Sequence, residues 1–297
     1  MSRTMAHAVG VNLPRVVLPE VLDGLAADDP TAQRSRRDLQ RVHRAMGTRA
    51  TLLRALRALP LVPNRPASSA GFRVLELGAG DGSLMLGVAR SLQGHWPAVT
   101  LTLLDRLPLL TAATVADYGR VGWTATAEVG DAIDWAASAL AEPESGSESG
   151  SESGSQAGWQ AARQAEPQAA PQAEHSAPQG QAHWDLIVAN LFLHHFKSDE
   201  LAMLLAAVAR RSDHFLACEP RRAWLAWAGS HLVGALGANA VTREDAVLSV
   251  HAGFREQELR ALWPARTPGW RVSEYAAGLF SHCFVASRAA DFRTGAG

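Results

Sequence analysis

One stretch, Val74-Leu-Glu76-Leu-Gly78-Ala79-Gly80-Asp-Gly82-Ser-Leu84, constrains the fold of this chain more than any other. A short apolar run, Phe72 to Leu77, stops at three glycines set at alternate positions, and helical spacing begins at Ser83. Such a run reads as a strand buried on both faces. Glycine reaches positive φ without a Cβ clash and lets a ligand approach the backbone closely. The helix that follows offers unpaired N–H groups in its first turn. Strand, glycine bend and helix in that order imply a parallel α/β sheet with a ligand site at the strand's C-terminal end. The spacing is G-x-G-x-G, and Ser83 stands where the dinucleotide fingerprint G-x-G-x-x-G has its last glycine. Glu76 also sets a carboxylate beside the bend, which repels a pyrophosphate and suits an ammonium group, directly or through water.

The rest of the chain repeats the alternation. Strands are expected at 99–104 (ending at Asp105), 123–129 (ending at Gly130-Asp131), 185–190, and 214–218, the last stopped by Glu219-Pro220. Helical spacing covers 83–92, 135–140 and 199–210, with Ser198 as N-cap. Two final runs, 270–275 and 281–286, are joined by a turn at Ala277-Gly278 and must be antiparallel, because a parallel pair needs a crossover. The expectation is an α/β fold: a Rossmann-like seven-stranded sheet with helices on both faces, a C-terminal antiparallel hairpin and an N-terminal helical cap over residues 1–66. That cap contains helices from Asp29-Pro30 toward Ala45 and from Thr48 to Leu59. Residues 67–140 and 184–290 form the two parts of the sheet domain, the second with a substrate-cap segment at 223–256. Between them, residues 141–183 contain no Ile, Leu, Val, Phe or Met and open on a Glu-Ser-Gly-Ser repeat. Such a segment cannot bury enough apolar surface to offset the entropy of ordering it, so it reads as a disordered low-complexity insertion.

Charge narrows the function classes. The chain has 28 basic and 29 acidic side chains and a net charge of −1, which gives no general electrostatic grip on nucleic acid. The arginines clustered from Arg34 to Arg44 read as a solvated helix face. No apolar stretch is long enough to span a bilayer, and the first ten residues do not read as a signal peptide. The two cysteines, Cys218 and Cys283, make no disulfide framework and read as buried reduced thiols. These features make a soluble cytoplasmic protein the default, with no nucleic-acid or membrane partner and a homodimer left open.

Several acids fall at strand ends along one edge of the expected sheet. Asp105 there can accept the two hydroxyls of a ribose. Asp131 can accept the exocyclic amine of an adenine. On these residues the chain, from about Gly71 to Arg288, resembles the class I S-adenosylmethionine-dependent methyltransferases. The glycine stretch is similar to their first motif, Asp105 to their ribose acid and Asp131 to their adenine contact. Asn190-Leu-Phe-Leu-His194-His195 resembles the segment after the fourth strand in their small-molecule members. The resemblance implies S-adenosyl-L-methionine as cofactor, held by Glu76, Gly78, Ala79, Gly80, Gly82, Asp105, Arg106, Asp131, Ala132 and Asn190. More loosely, Leu18 to Asp23, Arg41 to Arg44 and Asp245 to Phe254 resemble a bacterial subgroup associated with type III polyketide synthases. Asn190 is not followed by the Pro-Pro-Tyr of many amino-methyltransferases, which argues against DNA bases or protein glutamine as substrate.

The reaction so implied is an in-line displacement, in which positioning does most of the work. A phenol, with a pKa of about 10, is mostly un-ionised at neutral pH, so a base helps. His194 and His195 are the candidate catalytic residues, since an ordinary histidine with a pKa of about 6.5 accepts a proton there. The alternative is that at least one only bonds backbone at a strand end. Arg221 and His251 are candidate substrate contacts, each with an ordinary surface role as the alternative. Adjacent histidines without partners at recognisable spacing give no reason to expect a metal. The segment from Ala223 to Ala240 is apolar and small-residue-rich, and with the N-terminal helices it suits a hydrophobic acceptor pocket. The favoured reading is O-methylation of a phenolic or polyketide-like metabolite. Its alternatives are C-methylation of an activated ring, an inactive cofactor-binding partner subunit, and a nicotinamide oxidoreductase.

Overall fold

The computed structural model describes residues 14–60, 71–141, 183–264 and 269–289. Apart from its two end residues, the low-complexity segment read at 141–183 lies outside them. Two helices come first, α1 (Pro30–Met46) and α2 (Thr48–Ala58). Asp29 caps α1, accepting from the N–H groups of Thr31 and Ala32, and Pro30 at the first position has no N–H to leave unpaired. Gly47, at φ 69°, ends α1 and starts α2 in a single left-handed residue.

The sheet domain then alternates. Its elements are β1 (Phe72–Leu77), α3 (Ser83–Leu92), β2 (Val99–Asp105), α4 (Ala112–Arg120), β3 (Trp123–Val129), α5 (Ala132–Ala141), β4 (Trp184–Asn190), α6 (Ser198–Arg211) and β5 (Ser212–Pro220). Three helices, α7 (Trp224–Ser230), α8 (Ala240–Ala252) and α9 (Glu258–Leu262), precede the hairpin β6 (Trp270–Ala277) and β7 (Ser281–Arg288). The strands lie in the order β3-β2-β1-β4-β5-β7-β6. β1 to β5 are parallel, and β7 is antiparallel to both β5 and β6. The expected seven-stranded sheet with its closing hairpin is therefore present.

Period-two alternation divides the core between the two faces of the sheet. Leu75, Leu77, Ile187, Ala189, Phe215 and Ala217 pack under α5 and α6. Val74, Leu101, Leu103, Val188 and Leu216 pack under α2 and α3. Fully burying one such Leu or Val contributes about 1.5–3 kcal/mol, and removing the Leu77 side chain should cost about 2–5 kcal/mol. Glu76 alternates with Leu75 and Leu77, so the β1 pleat that buries those leucines on one face puts this carboxylate on the other.

Several details depart from the sequence reading. β5 continues through Glu219-Pro220, where a stop was expected, because both residues still pair with β7, opposite His282 and Ser281. The cap of α6 is Lys197 rather than Ser198; its N–H donates to Glu200 Oε2 at 3.0 Å. The helix α4 was not anticipated: its one buried side chain, Tyr118, gives no apolar stripe to read. Cys218 and Cys283 sit opposite each other on β5 and β7 as buried thiols with sulfurs 2.8 Å apart, and contact with Cys283 together with burial pushes the Cys218 pKa up. No helix among the described residues is long and apolar enough to cross a membrane.

Candidate active site

The strand order reverses beside β1, since β2 and β3 extend to one side and β4 and β5 to the other. In open α/β sheets the crevice at that point, outside the strands' C-terminal ends, is where ligands bind. A cavity of about 1310 Å³ occupies this position. It is lined at one end by the β1–α3 bend and the ends of β2, β3 and β4, and at the other by the N-terminal segment, His194, His195 and part of the segment after β5.

The bend is built as its glycines imply. Gly78, Gly80 and Gly82 have φ of 68°, 57° and 71°, a region costly for L side chains. A Cβ on Gly78 would fall 2.1 Å from Phe192 Cδ2, so this glycine admits the Phe192 ring. A Cβ on Gly80 would meet nothing within 4 Å, because that residue faces the open cavity. Gly82 does not line the cavity: its Cβ would strike Leu110, and its carbonyl accepts from the Tyr118 hydroxyl at 2.7 Å. Its place is in the turn into α3.

The acids read from the sequence come together here. Asp105 accepts from the Gly80 N–H at 2.8 Å through Oδ2 and from the Leu107 N–H at 3.0 Å through Oδ1. Asp131 accepts from the Ile133 N–H at 2.7 Å at the start of α5. Both line the cavity, with Ala79, Arg106, Ala132 and Asn190. Glu76 is 3% exposed and Asn190 7%. Glu76 Oε2 and Asn190 Oδ1 have no hydrogen-bond partner among the described residues. Burial first, then the nearby charges of Asp105 and Asp81, push the Glu76 carboxyl up to about 8.

The other end is assembled from distant segments. Leu191, at φ 51°, turns the chain sharply after β4, a conformation that a non-glycine residue holds only when its surroundings enforce it. Glu219 on β5 supplies that enforcement. Its carboxylate accepts from the N–H groups of Phe192, Leu193 and His194 at 3.1, 3.0 and 3.3 Å, and from His194 Nδ1 at 2.9 Å. His194 Nε2 then faces Glu20 Oε1 at 3.4 Å, and His195 Nδ1 lies 3.2 Å from Asp23 Oδ2. Burial works against charge on His194, but the hydrogen bonds to Glu20 and Glu219 outweigh it and hold its pKa up at about 9. Burial would likewise raise Glu20 and Asp23, yet the contacts with His194 and His195 leave both below the usual carboxylate range.

Glu20 and Asp23 belong to a strap that α8 holds in place. The N–H groups of Val21 and Leu22 donate to the two oxygens of Asp245 at 2.7 and 3.0 Å. Arg15 reaches the carbonyls of Ala252 and Phe196 at 2.8 and 2.9 Å and lies over the Phe254 ring. The sequence reading missed Glu20, Asp23, Glu219 and Asp245 as site residues. Their only signal was that three of them fall in the stretches Leu18–Asp23 and Asp245–Phe254.

Two expected substrate contacts lie elsewhere. Arg221 does not line the cavity; its guanidinium donates to the Gly278 carbonyl at 3.0 Å and so braces the β6–β7 turn. His251 does not line it either; its carbonyl accepts from the Val16 N–H at 3.1 Å and holds the strap.

No family model and no curated protein sequence matches the chain. The chain is similar to several solved structures at low identity. The plantazolicin methyltransferase BpumL in complex with SAH is 10% identical, with 88% of this chain and 91% of that one covered and a TM-score of 0.46. The magnesium protoporphyrin IX methyltransferase ChlM from Synechocystis PCC 6803 with bound SAH is 12% identical over 90% and 91%, with a TM-score of 0.43. The pyocyanin biosynthetic protein PhzM is 14% identical, with a TM-score of 0.46; 88% of this chain but 60% of that one is covered. The strand order, with five parallel strands and a terminal antiparallel hairpin, is that of the class I methyltransferase fold.

Proposed function

We propose that this chain is an S-adenosylmethionine-dependent methyltransferase of a small acceptor, with O-methylation of a phenolic or polyketide-like metabolite as its reaction. The observation that carries the reading is a pair of buried acceptors, Glu76 Oε2 and Asn190 Oδ1, without donors on the wall of one cavity. Leaving such a group unsatisfied costs about 1–3 kcal/mol, which a ligand bringing an ammonium and hydroxyl donors relieves. The open space before Gly80 admits such a ligand to the backbone. The residues fit the cofactor.

Glu76 and Asn190 would hold its amino-acid end, Gly78 to Gly80 its centre, Asp105 its ribose, and Arg106, Asp131 and Ala132 its adenine end. When bound, S-adenosylmethionine supplies an electrophilic methyl group. The protein's own contribution is to align an acceptor oxygen against it, which by itself lowers barriers by several kcal/mol. The walls past the histidines, formed by Leu22, Ala226, Val233 and Leu236, are apolar and suit an aromatic or polyketide acceptor.

At the acceptor end, His194 is fixed between Glu219 and Glu20 with both ring nitrogens engaged, and so positions the segment that carries His195. His195, whose side chain is 24% exposed and whose Nδ1 is oriented by Asp23, accepts the acceptor's proton at its other nitrogen. Arg221 and His251 are left out of this proposal by their positions.

Titration calorimetry with S-adenosylhomocysteine, followed by methyl transfer to a panel of phenols, tests the reading. Tight binding and turnover support it. Binding with no turnover on any phenol, enol or activated ring favours a cofactor-binding partner subunit, and protection by NADPH but not by S-adenosylhomocysteine overturns the reading.

A further inference from the structure

The histidine pair meets a third ligating side chain that arrives from the opposite end of the chain. A carboxylate oxygen of Glu20, a ring nitrogen of His194 and a ring nitrogen of His195 lie within 4.8 Å of one another. All three residues line the cavity. The separation of Glu20 Oε1 from His194 Nε2 is 3.4 Å. Two ligands on a tetrahedral ion with bonds of about 2.0–2.1 Å stand roughly that far apart.

Two further carboxylates lie against ring nitrogens of the histidines. His194 Nδ1 is held by Glu219 Oε2 at 2.9 Å, which directs Nε2 toward Glu20. A carboxylate on the far nitrogen is the arrangement that orients metal-ligating imidazoles and raises their basicity. Asp23 makes a second carboxylate–histidine contact at His195 Nδ1. The strap clamped by Asp245 fixes where Glu20 lies, so the cluster does not depend on a wandering terminus. Residue spacing alone offers no reason to expect a metal, since the partner of the adjacent histidines is brought in only by folding.

We propose that Glu20, His194 and His195 bind one first-row divalent ion of the zinc type, with its remaining position open to the acceptor. Two imidazoles and one carboxylate suit Zn²⁺ and its neighbours, whereas Mg²⁺ and Ca²⁺ favour all-oxygen sites. Its chemical role rests on the methyl-transfer reading. The ion polarises the acceptor O–H, the proton leaves to solvent, and the oxygen is presented as an ion-bound oxyanion. Both histidines are then ligands, and ionisation of the acceptor falls to the ion in place of proton transfer to His195.

The test uses the full chain after chelator treatment, titrated with Co²⁺ as a visible probe and then with Zn²⁺. One equivalent of Co²⁺ should give the d–d absorption of a four- or five-coordinate site, and one equivalent of Zn²⁺ should bleach it. Glu20→Gln and His195→Asn should each weaken uptake by at least about 100-fold with the thermal unfolding midpoint retained, and Asp23→Asn by about 10–100-fold. Absence of stoichiometric uptake overturns the proposal, as does uptake that survives both Glu20→Gln and His195→Asn in folded protein. Affinity for S-adenosylhomocysteine, measured beside it, separates the two ideas: its persistence without metal uptake sinks only the metal site, and its loss sinks the enzyme reading.

Discussion

The backbone N–H of Gly80 donates to Asp105 Oδ2 at 2.8 Å, so the bend after β1 is tied to the end of β2. One carboxylate thereby shapes the wall of the cavity that it also lines. Two consequences follow for substitution. Asp105→Ala removes two charge-assisted hydrogen bonds, from the Gly80 and Leu107 N–H groups, at about 1.5–3 kcal/mol each, together with the proposed ribose acceptor. Gly80→Val places a β-branched side chain at φ 57° and fills the open space, with a backbone cost of about 1–3 kcal/mol. Calorimetry should show each variant at least about tenfold weaker for S-adenosylhomocysteine, with circular dichroism unchanged. Near-normal affinity in both would remove the cofactor from this site.

Glu76 predicts a pH dependence. Its carboxyl is raised from 4.5 to about 8, so across that window the folded protein binds more protons than the unfolded chain. Stability without ligand should therefore fall as pH rises from about 4.5 to 8, by an amount on the order of a few kcal/mol from this group. Glu76→Gln should flatten that slope in urea denaturation between pH 5 and 9. An ammonium brought against Glu76 favours the carboxylate, so cofactor binding near pH 7 should release a proton and tighten toward pH 8. Calorimetry in buffers of different ionisation enthalpy reads this release; none would mean that Glu76 does not meet the cation.

His195→Ala should lower kcat/KM for a phenolic acceptor by about 10²–10⁴-fold and change S-adenosylhomocysteine affinity less than threefold. An unchanged single-turnover rate would take His195 out of the reaction.

Asp245 controls the strap. Asp245→Ala leaves the N–H groups of Val21 and Leu22 without acceptors, at about 1.5–3 kcal/mol for each bond to a charged group. Hydrogen exchange over residues 16–24 should quicken, and the acceptor's KM should rise while cofactor affinity holds. Protection unchanged over that stretch would contradict the clamp.

Periodicity and the glycine bend made the sheet legible in the sequence, including its parallel half, its closing hairpin and the acids at its strand ends. Those features are local: strand ends and turns are written in consecutive residues, and a doubly wound sheet brings every parallel strand's C-terminal end to one edge. Glu76, Gly80, Asp105, Asp131 and Asn190 could be set along one edge for that reason, and all five line the cavity there. What consecutive residues do not carry is which distant segment covers the edge. Only the tertiary structure placed Glu20 and Asp23 over His194 and His195, put Glu219 beneath them, and turned Arg221 and His251 to bracing. Those contacts join segments far apart in sequence, and their energy appears only once the packing of α8 and the strap has brought the charges within hydrogen-bonding distance.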